Sequence, residues 1–223
     1  MSTTKKPTLG VIIGSIRPER FGPTPAKWFA AEAERHGAFE VDLVDLADYQ
    51  LPMELAGNDP NAALPAEVAR LGQRLAKAGA FVLVTPVYNR SYPAALKTAI
   101  DWFYGEWALR PVSFVSYGGI TGGLTSVEHL RGVFAEFPAV TIKNFIALAN
   151  YWRVFDHDGW PVNTEGLRVP AAALLDELAW WAPMLREARR SRPYPRLDFA
   201  LATNDSRAVS PTELVSCAFS SLH

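Results

Sequence analysis

The residues able to do chemistry fall in three short stretches, each rich in groups that bind a ligand and poor in groups that attack one. The first is Gly14-Ser15-Ile16-Arg17-Pro18-Glu19-Arg20-Phe21-Gly22-Pro23-Thr24-Pro25. It follows the apolar run Leu9–Ile13 and leads into a helical pattern. Backbone N–H groups at such a strand-to-helix turn, together with the positive end of the helix dipole, make an anion site. Ser15 and Thr24 add hydroxyls, and Arg17 and Arg20 add positive charge. Neither G-x-G-x-x-G nor G-x-x-x-x-G-K-[ST] occurs here, so a single phosphate monoester suits the loop better than a dinucleotide or a triphosphate. An ordinary polar turn would carry the same residues.

The second stretch is Thr85-Pro86-Val87-Tyr88-Asn89-Arg90-Ser91-Tyr92-Pro93. Prolines stiffen it, and tyrosines beside an amide suit a flat heteroaromatic ring that needs stacking and a few hydrogen bonds. Tyrosines that merely close the core are the plainer alternative. The third is Ser116-Tyr117-Gly118-Gly119-Ile120-Thr121-Gly122-Gly123, where glycines let backbone N–H groups approach a ligand closely. A flexible connection is the rival reading, weakened because the glycines directly follow a buried strand.

The elements that must position these loops are legible in the apolar pattern. Leu9–Ile13, Val41–Leu46, Ala80–Thr85, Val112–Tyr117 and Val140–Phe145 read as short strands. Several are almost wholly apolar, as strands buried on both faces should be. Between them Val68, Leu71, Leu75 and Ala78, and again Val127, Leu130, Phe134 and Phe137, recur at helical spacing. Thr24-Pro25 predicts a helix start with Thr24 as cap, and His36-Gly37 predicts its stop. Repeated strand–helix alternation predicts an α/β fold, a parallel sheet with helices on both faces. Ligands bind such sheets outside the carboxyl ends of the strands, where all three stretches lie. A last helix is expected from about Pro170 to Arg190, kinked or split at Pro183. Residues 1–190 are expected to form one domain, and 191–223 a tail that packs on a neighbouring subunit.

Composition narrows the function. Of 223 residues 49% are hydrophobic and 20% charged, enough for a large core and against disorder. A net charge of −1 argues against nucleic acid or an anionic membrane as partner. One cysteine, Cys217, excludes an internal disulfide; a bridge to a second chain stays open, but a reducing, cytoplasmic setting is the simpler reading. The apolar run near the start is too short to span a membrane, and no signal-peptide pattern precedes it. His36, His129, His157 and His223 have no metal spacing, and His129 is expected at the surface. Asp156, Asp158 and Glu165 form an acidic loop with too few ligands for a metal. No metal site and no catalytic side chain is expected. Trp102, Trp107, Trp152, Trp160, Trp180 and Trp181 read as core or subunit contacts.

Taken in order and at this spacing, the three stretches resemble the NADPH-dependent FMN reductase family, the flavodoxin-like group that includes quinone, azo and chromate reductases. The matching residues are Gly14-Ser15-Ile16-Arg17 with Arg20 and Gly22; Pro86-Val87-Tyr88-Asn89 with Ser91, Pro93, Leu96, Lys97, Ala99, Ile100, Asp101 and Trp102; and Ser116-Tyr117-Gly118-Gly119 with Gly122-Gly123. The resemblance implies a flavodoxin-like three-layer fold with a five-stranded parallel sheet in the order 2-1-3-4-5. It implies non-covalent FMN, its phosphate held by Ser15, Arg17, Gly22, Pro23, Thr24 and Pro25. Pro86, Val87, Tyr88 and Asn89 would line one side of the isoalloxazine, and Ser116, Tyr117, Gly118 and Gly119 the other. NAD(P)H would reduce the flavin, leave, and be replaced by a small oxidant in a ping-pong cycle: a quinone, an azo or nitro compound, a metal oxyanion or free flavin. The flavin does the hard step, which agrees with the lack of a catalytic triad.

Two departures from the family pattern stand out. Val87 occupies a position where many relatives carry Glu, and Arg90 follows Asn89 where an aromatic or small residue is common. Both face the expected entry for nicotinamide and oxidant. The aromatic crowding of Trp102, Tyr104 and Trp107, with the resemblance, predicts a homodimer or homotetramer. A flavodoxin-type electron carrier is the first rival, but such carriers are usually strongly acidic around the flavin, and Arg17, Arg20 and Arg90 speak against it. A flavin-free scaffold with the same fold is the second.

Overall fold

A computed structural model of the chain describes residues 6–55, 63–192 and 194. The tail beyond residue 194, with Cys217 and His223, lies outside the described residues.

Strands β1 (Thr8–Ile13), β2 (Glu40–Asp45), β3 (Ala78–Pro86) and β4 (Pro111–Gly118) are joined by helices α1 (Pro23–His36), α2 (Ala66–Lys77) and α3 (Ala94–Asp101). Helix α4 (Leu124–Phe134), the short strands β5 (Val140–Thr141) and β6 (Ile146–Ala149) and the long α5 (Thr164–Ser191) complete the fold. The pairings among these strands are parallel, and the sheet order is β2-β1-β3-β4-β5, with β6 also on β4. This is the expected 2-1-3-4-5 order.

The inner strands β1, β3 and β4 are buried and largely apolar on both faces because helices cover both, whereas edge strand β2 carries Glu40, Asp42 and Asp45. Leu9, Val11 and Ile13 of β1 face a core shared with α1 and α5, built around Phe29, Leu174 and Leu178. Ile12 joins the opposite core, with Phe81, Leu83 and Phe114 against α2, α3 and α4. The alternation follows the two-residue period of a strand. Register brings the carboxyl ends together: Ile13 pairs with Val84, and Thr85 with Ser116. The Gly14 N–H donates to Val84 O at 2.9 Å, so the first loop leaves the sheet beside the second.

Several expectations are corrected. The fifth strand is not one run over Val140–Phe145 but two pieces, separated where the chain bends away from β4. The freed backbone is satisfied by side chains. The Glu177 carboxylate of α5 accepts from the N–H groups of Lys143 and Asn144, each at 3.0 Å. The Ser113 hydroxyl donates to Asn144 O at 2.7 Å. Helix α1 starts at Pro23 with Gly22 as cap residue and no side-chain capping bond, so Thr24 lies inside the helix. Its stop is as expected, with Gly37 at φ 81°. Helix α5 begins earlier, capped by Asn163, whose side chain accepts from the Gly166 N–H at 2.9 Å. It runs through Pro183 without a break. Pro183 sits on the exposed face, where the carbonyl its ring leaves unpaired can turn to water.

Trp107 is fully buried, donates its indole N–H to Ile100 O at 3.1 Å and packs on Phe81 and Phe134. Trp102 donates to Pro52 O at 2.8 Å, and Tyr104 leans on Phe137. The aromatic crowding after α3 is thus absorbed largely within one chain. Trp152, Trp160 and Trp180 are exposed.

Candidate active site

The three loops meet in one cleft at the carboxyl edge of the sheet. It has a volume of about 220 Å³ and is lined by Arg17, Arg20, Phe21, Pro86, Val87, Tyr88, Tyr117, Gly118, Gly119 and Tyr151. Residues far apart in sequence are held there by direct contacts. The Ser15 hydroxyl, itself fully buried, lies 2.7 Å from the Tyr88 hydroxyl and locks the first loop to the second. The Val87 N–H donates to Tyr117 O at 3.1 Å and locks the second to the third.

The glycine turn after β4 is built for close approach. A Cβ on Gly118 would stand 2.6 Å from Val87 Cγ1 and 3.0 Å from Gly123 N. Gly122 and Gly123 have φ of +60° and +83°, a region that favours glycine. The Ser116 hydroxyl is buried and donates to Gly122 O at 2.8 Å, so its side chain holds the turn and does not face the cleft. The Asn150 N–H, just after β6, donates to Gly119 O at 2.8 Å and carries Tyr151 to the rim.

Charge is concentrated on one wall. Arg17 is exposed, whereas the Arg20 side chain is only 17% exposed and pairs with Asp45. The Arg20 Nε is buried with no hydrogen-bond partner among the described residues. An orphaned guanidinium N–H beside a second arginine suits a phosphate. The helix N-terminus adds less than its position promises. Pro23 and Pro25 have no N–H, and the Thr24 N–H already donates to Phe21 O at 3.0 Å. An anion held here would therefore rest mainly on the two arginines. Burial holds the Tyr117 phenol above its ordinary pKa; Tyr88 and Tyr151 push the same way, and Arg20 and Arg17 oppose them. Tyr117 thus stays a neutral hydroxyl able to donate.

Of the expected site residues, Arg17, Pro86, Val87, Tyr88, Tyr117, Gly118 and Gly119 come together in the cleft, with Ser15 directly behind. Gly22 packs under it: a Cβ there would stand 3.0 Å from the Tyr117 hydroxyl. Asn89 stands in the turn beside it. Pro23 and Thr24 open instead onto a separate hollow with Lys27, Asp158 and Trp160, and Pro25 is buried in α1. Phe21 and Tyr151 were not anticipated as lining residues. Phe21 packs on Tyr117 and Tyr151 at ring distances of 5.7 and 4.5 Å. Tyr151 could be found only by recognising β6, whose end delivers it. His129 is exposed, as expected. No cluster of three or more metal-ligating side chains occurs among the described residues.

A parallel sheet in this order, with two arginines and a glycine turn at its carboxyl edge, is the flavodoxin-like fold. The chain belongs to the NADPH-dependent FMN reductase family, whose model matches residues 7–153. It is 37% identical to an NAD(P)H-dependent FMN reductase of Schizosaccharomyces pombe over 61% of this chain and 74% of that one. It is 33% identical to a 2-hydroxy-1,4-benzoquinone reductase of a Burkholderia species over 60% and 74% of the two chains. The flavoenzyme FerB of Paracoccus denitrificans shares the fold with a TM-score of 0.66 at 23% identity, covering 80% of this chain and 98% of its own. The protein is thus an NAD(P)H-dependent oxidoreductase of the FMN reductase type, with FMN as cofactor and NAD(P)H as donor.

Proposed function

We propose that FMN sits in this cleft with its phosphate on Arg17 and Arg20, and that NAD(P)H and a small oxidant use the remaining open side in turn. The observation that carries this reading is the buried, unpartnered Arg20 Nε in a cleft walled by Tyr88, Tyr117 and the glycine turn. Bound FMN supplies the redox chemistry, taking hydride from the donor and passing electrons to the oxidant. The chain's own residues position and tune. Arg17 and Arg20 neutralise the phosphate, and Pro86 to Tyr88 form a stiff wall for the ring. The N–H groups of Gly118 and Gly119, where no side chain intervenes, serve as donors where negative charge builds. Pro23, Thr24, Pro25 and Ser116 support the loops from outside the cleft.

The oxidant belongs to the class of quinones, azo or nitro compounds, metal oxyanions or free flavins. Relatives named quinone reductases, from Pseudomonas putida and Escherichia coli, support a quinone first. FMN is preferred to FAD because the cation pair suits a terminal monoester.

The protein is proposed to act as a homodimer, or as a homotetramer built from such dimers. Beside the cleft an apolar hollow of about 200 Å³ runs from Ile16 past Leu46, Tyr49, Leu51 and Met53 to Ala94 and Ala95. Ile16 and Met53 are 51% and 83% exposed, an apolar surface of the kind a second copy covers.

Steady-state kinetics with NADPH and a quinone test the shared-cleft mechanism. Parallel double-reciprocal lines are expected, because donor and oxidant take turns. Intersecting lines would mean both bind together and would sink it.

A further inference from the structure

After β3 the chain makes a two-residue turn. The Tyr88 N–H donates to Ser91 O at 2.7 Å, and the Ser91 N–H donates to Tyr88 O at 3.0 Å. Between them Asn89 has φ 48° and Arg90 has φ 71°. Two consecutive positive φ values mark the turn type whose preferred residues are Asn followed by Gly. Asn89 fits its position. Arg90 stands where glycine is favoured, and its Cβ makes that backbone costly.

No contact among the described residues repays that cost. Arg90 is exposed, and its guanidinium makes no hydrogen bond or ion pair among the described residues. Arg20, Arg70 and Arg74, by contrast, pair with Asp45, Glu67 and Asp42. The turn is also held from both sides. Tyr88 lines the cleft and meets Ser15, while the Ser91 hydroxyl lies 3.1 Å from His129 Nδ1 on α4. A strained residue clamped beside a ligand cleft, carrying an unpaired charge, is the pattern of a binding residue.

We propose that Arg90 is the donor-binding cation of this enzyme, taking a phosphate of NAD(P)H at the cleft rim. Arg17 and Arg20 hold the cofactor phosphate, and Arg90 lies in a different loop, free for a second anion. The inference rests on the reading that NAD(P)H enters this cleft. The phosphate is either the pyrophosphate that both nucleotides carry or the 2′-phosphate of NADPH alone.

The test compares wild type, Arg90→Gly and Arg90→Lys with both nucleotides. Arg90→Gly relieves the turn, so its melting temperature should stay level or rise by roughly 2 °C. KM for NADPH should rise about fivefold, the scale of one exposed charge contact, with kcat and FMN affinity unchanged. The salt dependence of kcat/KM should weaken, and Arg90→Lys should recover most of the loss. An equal rise in KM for NADH supports the pyrophosphate; a rise for NADPH alone supports the 2′-phosphate. Unchanged KM for both nucleotides in Arg90→Gly would overturn the proposal, as would a loss in kcat that Arg90→Lys fails to restore. A wild-type protein that oxidises neither nucleotide would instead overturn the reading that NAD(P)H enters the cleft, and the role of Arg90 with it.

Discussion

Arg17 and Arg20 differ in burial, and that difference should show in their contributions to FMN binding. A hydrogen bond involving a charged group is worth about 1.5–3 kcal/mol, more when solvent is excluded. Arg20 is mostly buried and carries an orphaned N–H; Arg17 is exposed. Arg17→Ala should weaken FMN binding by roughly tenfold, and Arg20→Ala by up to about a hundredfold. Titration by flavin fluorescence reads both. Equal dissociation constants for wild type and both variants would remove the phosphate from this wall of the cleft. Ser15 acts differently: its hydroxyl is buried against Tyr88, so it sets the distance between two loops.

Among the elements, the β4–α4 turn decides the shape of the cleft floor. Gly122 is left-handed, and a Cβ on it would stand 2.8 Å from Ala149 N and 2.9 Å from Ala147 C. Both are backbone atoms of β6, so neither can swing aside. Gly122→Ala must therefore strain the turn or push β6 away from it. The expected cost is about 1–3 kcal/mol of stability, measured by urea denaturation. FMN affinity should fall with it, because the Gly119 carbonyl is tied to Asn150 across the same junction. A variant as stable as wild type would show that β6 is not rigidly seated. The break between β5 and β6 follows the same logic, since Glu177 replaces the missing ladder partners there.

For the whole molecule, no helix among the described residues is long and apolar enough to cross a membrane. The apolar hollow from Ile16 to Met53 gives the proposed assembly its address. Met53→Asp places a charge on a side chain that is 83% exposed in the single chain, so it should leave the fold intact. It should split the assembly, because burying an unpaired carboxylate at an interface is costly. Light scattering on the wild type should give at least twice the 24.5 kDa chain mass. A wild-type mass of one chain at micromolar concentration would refute the assembly. Trp102 is a poorer probe, because its indole N–H is already bonded to Pro52 within the chain.

What the sequence by itself determined is what depends on near neighbours along the chain. Strands buried on two faces must be short and apolar, so β1, β3 and β4 were readable, as was the stop of α1 at Gly37. Because parallel strands end on one side, the loops after β1, β3 and β4 had to converge, and Arg17, Tyr88 and Gly118 do share one cleft. Only the tertiary structure decided matters that turn on distant partners. Glu177, on a helix far along the chain, satisfies the backbone where the fifth strand breaks. That break creates β6, and β6 delivers Tyr151, which no local pattern marked. Trp107 turned inward because Phe81 and Phe134 left it a slot, and Pro183 was tolerated because its side of α5 faces water. Ser116 and Thr24 read alike as hydroxyls near a ligand, yet one bonds to Gly122 and the other opens onto a different hollow. A side chain's direction is set by what packs around it, and packing is a property of the folded chain.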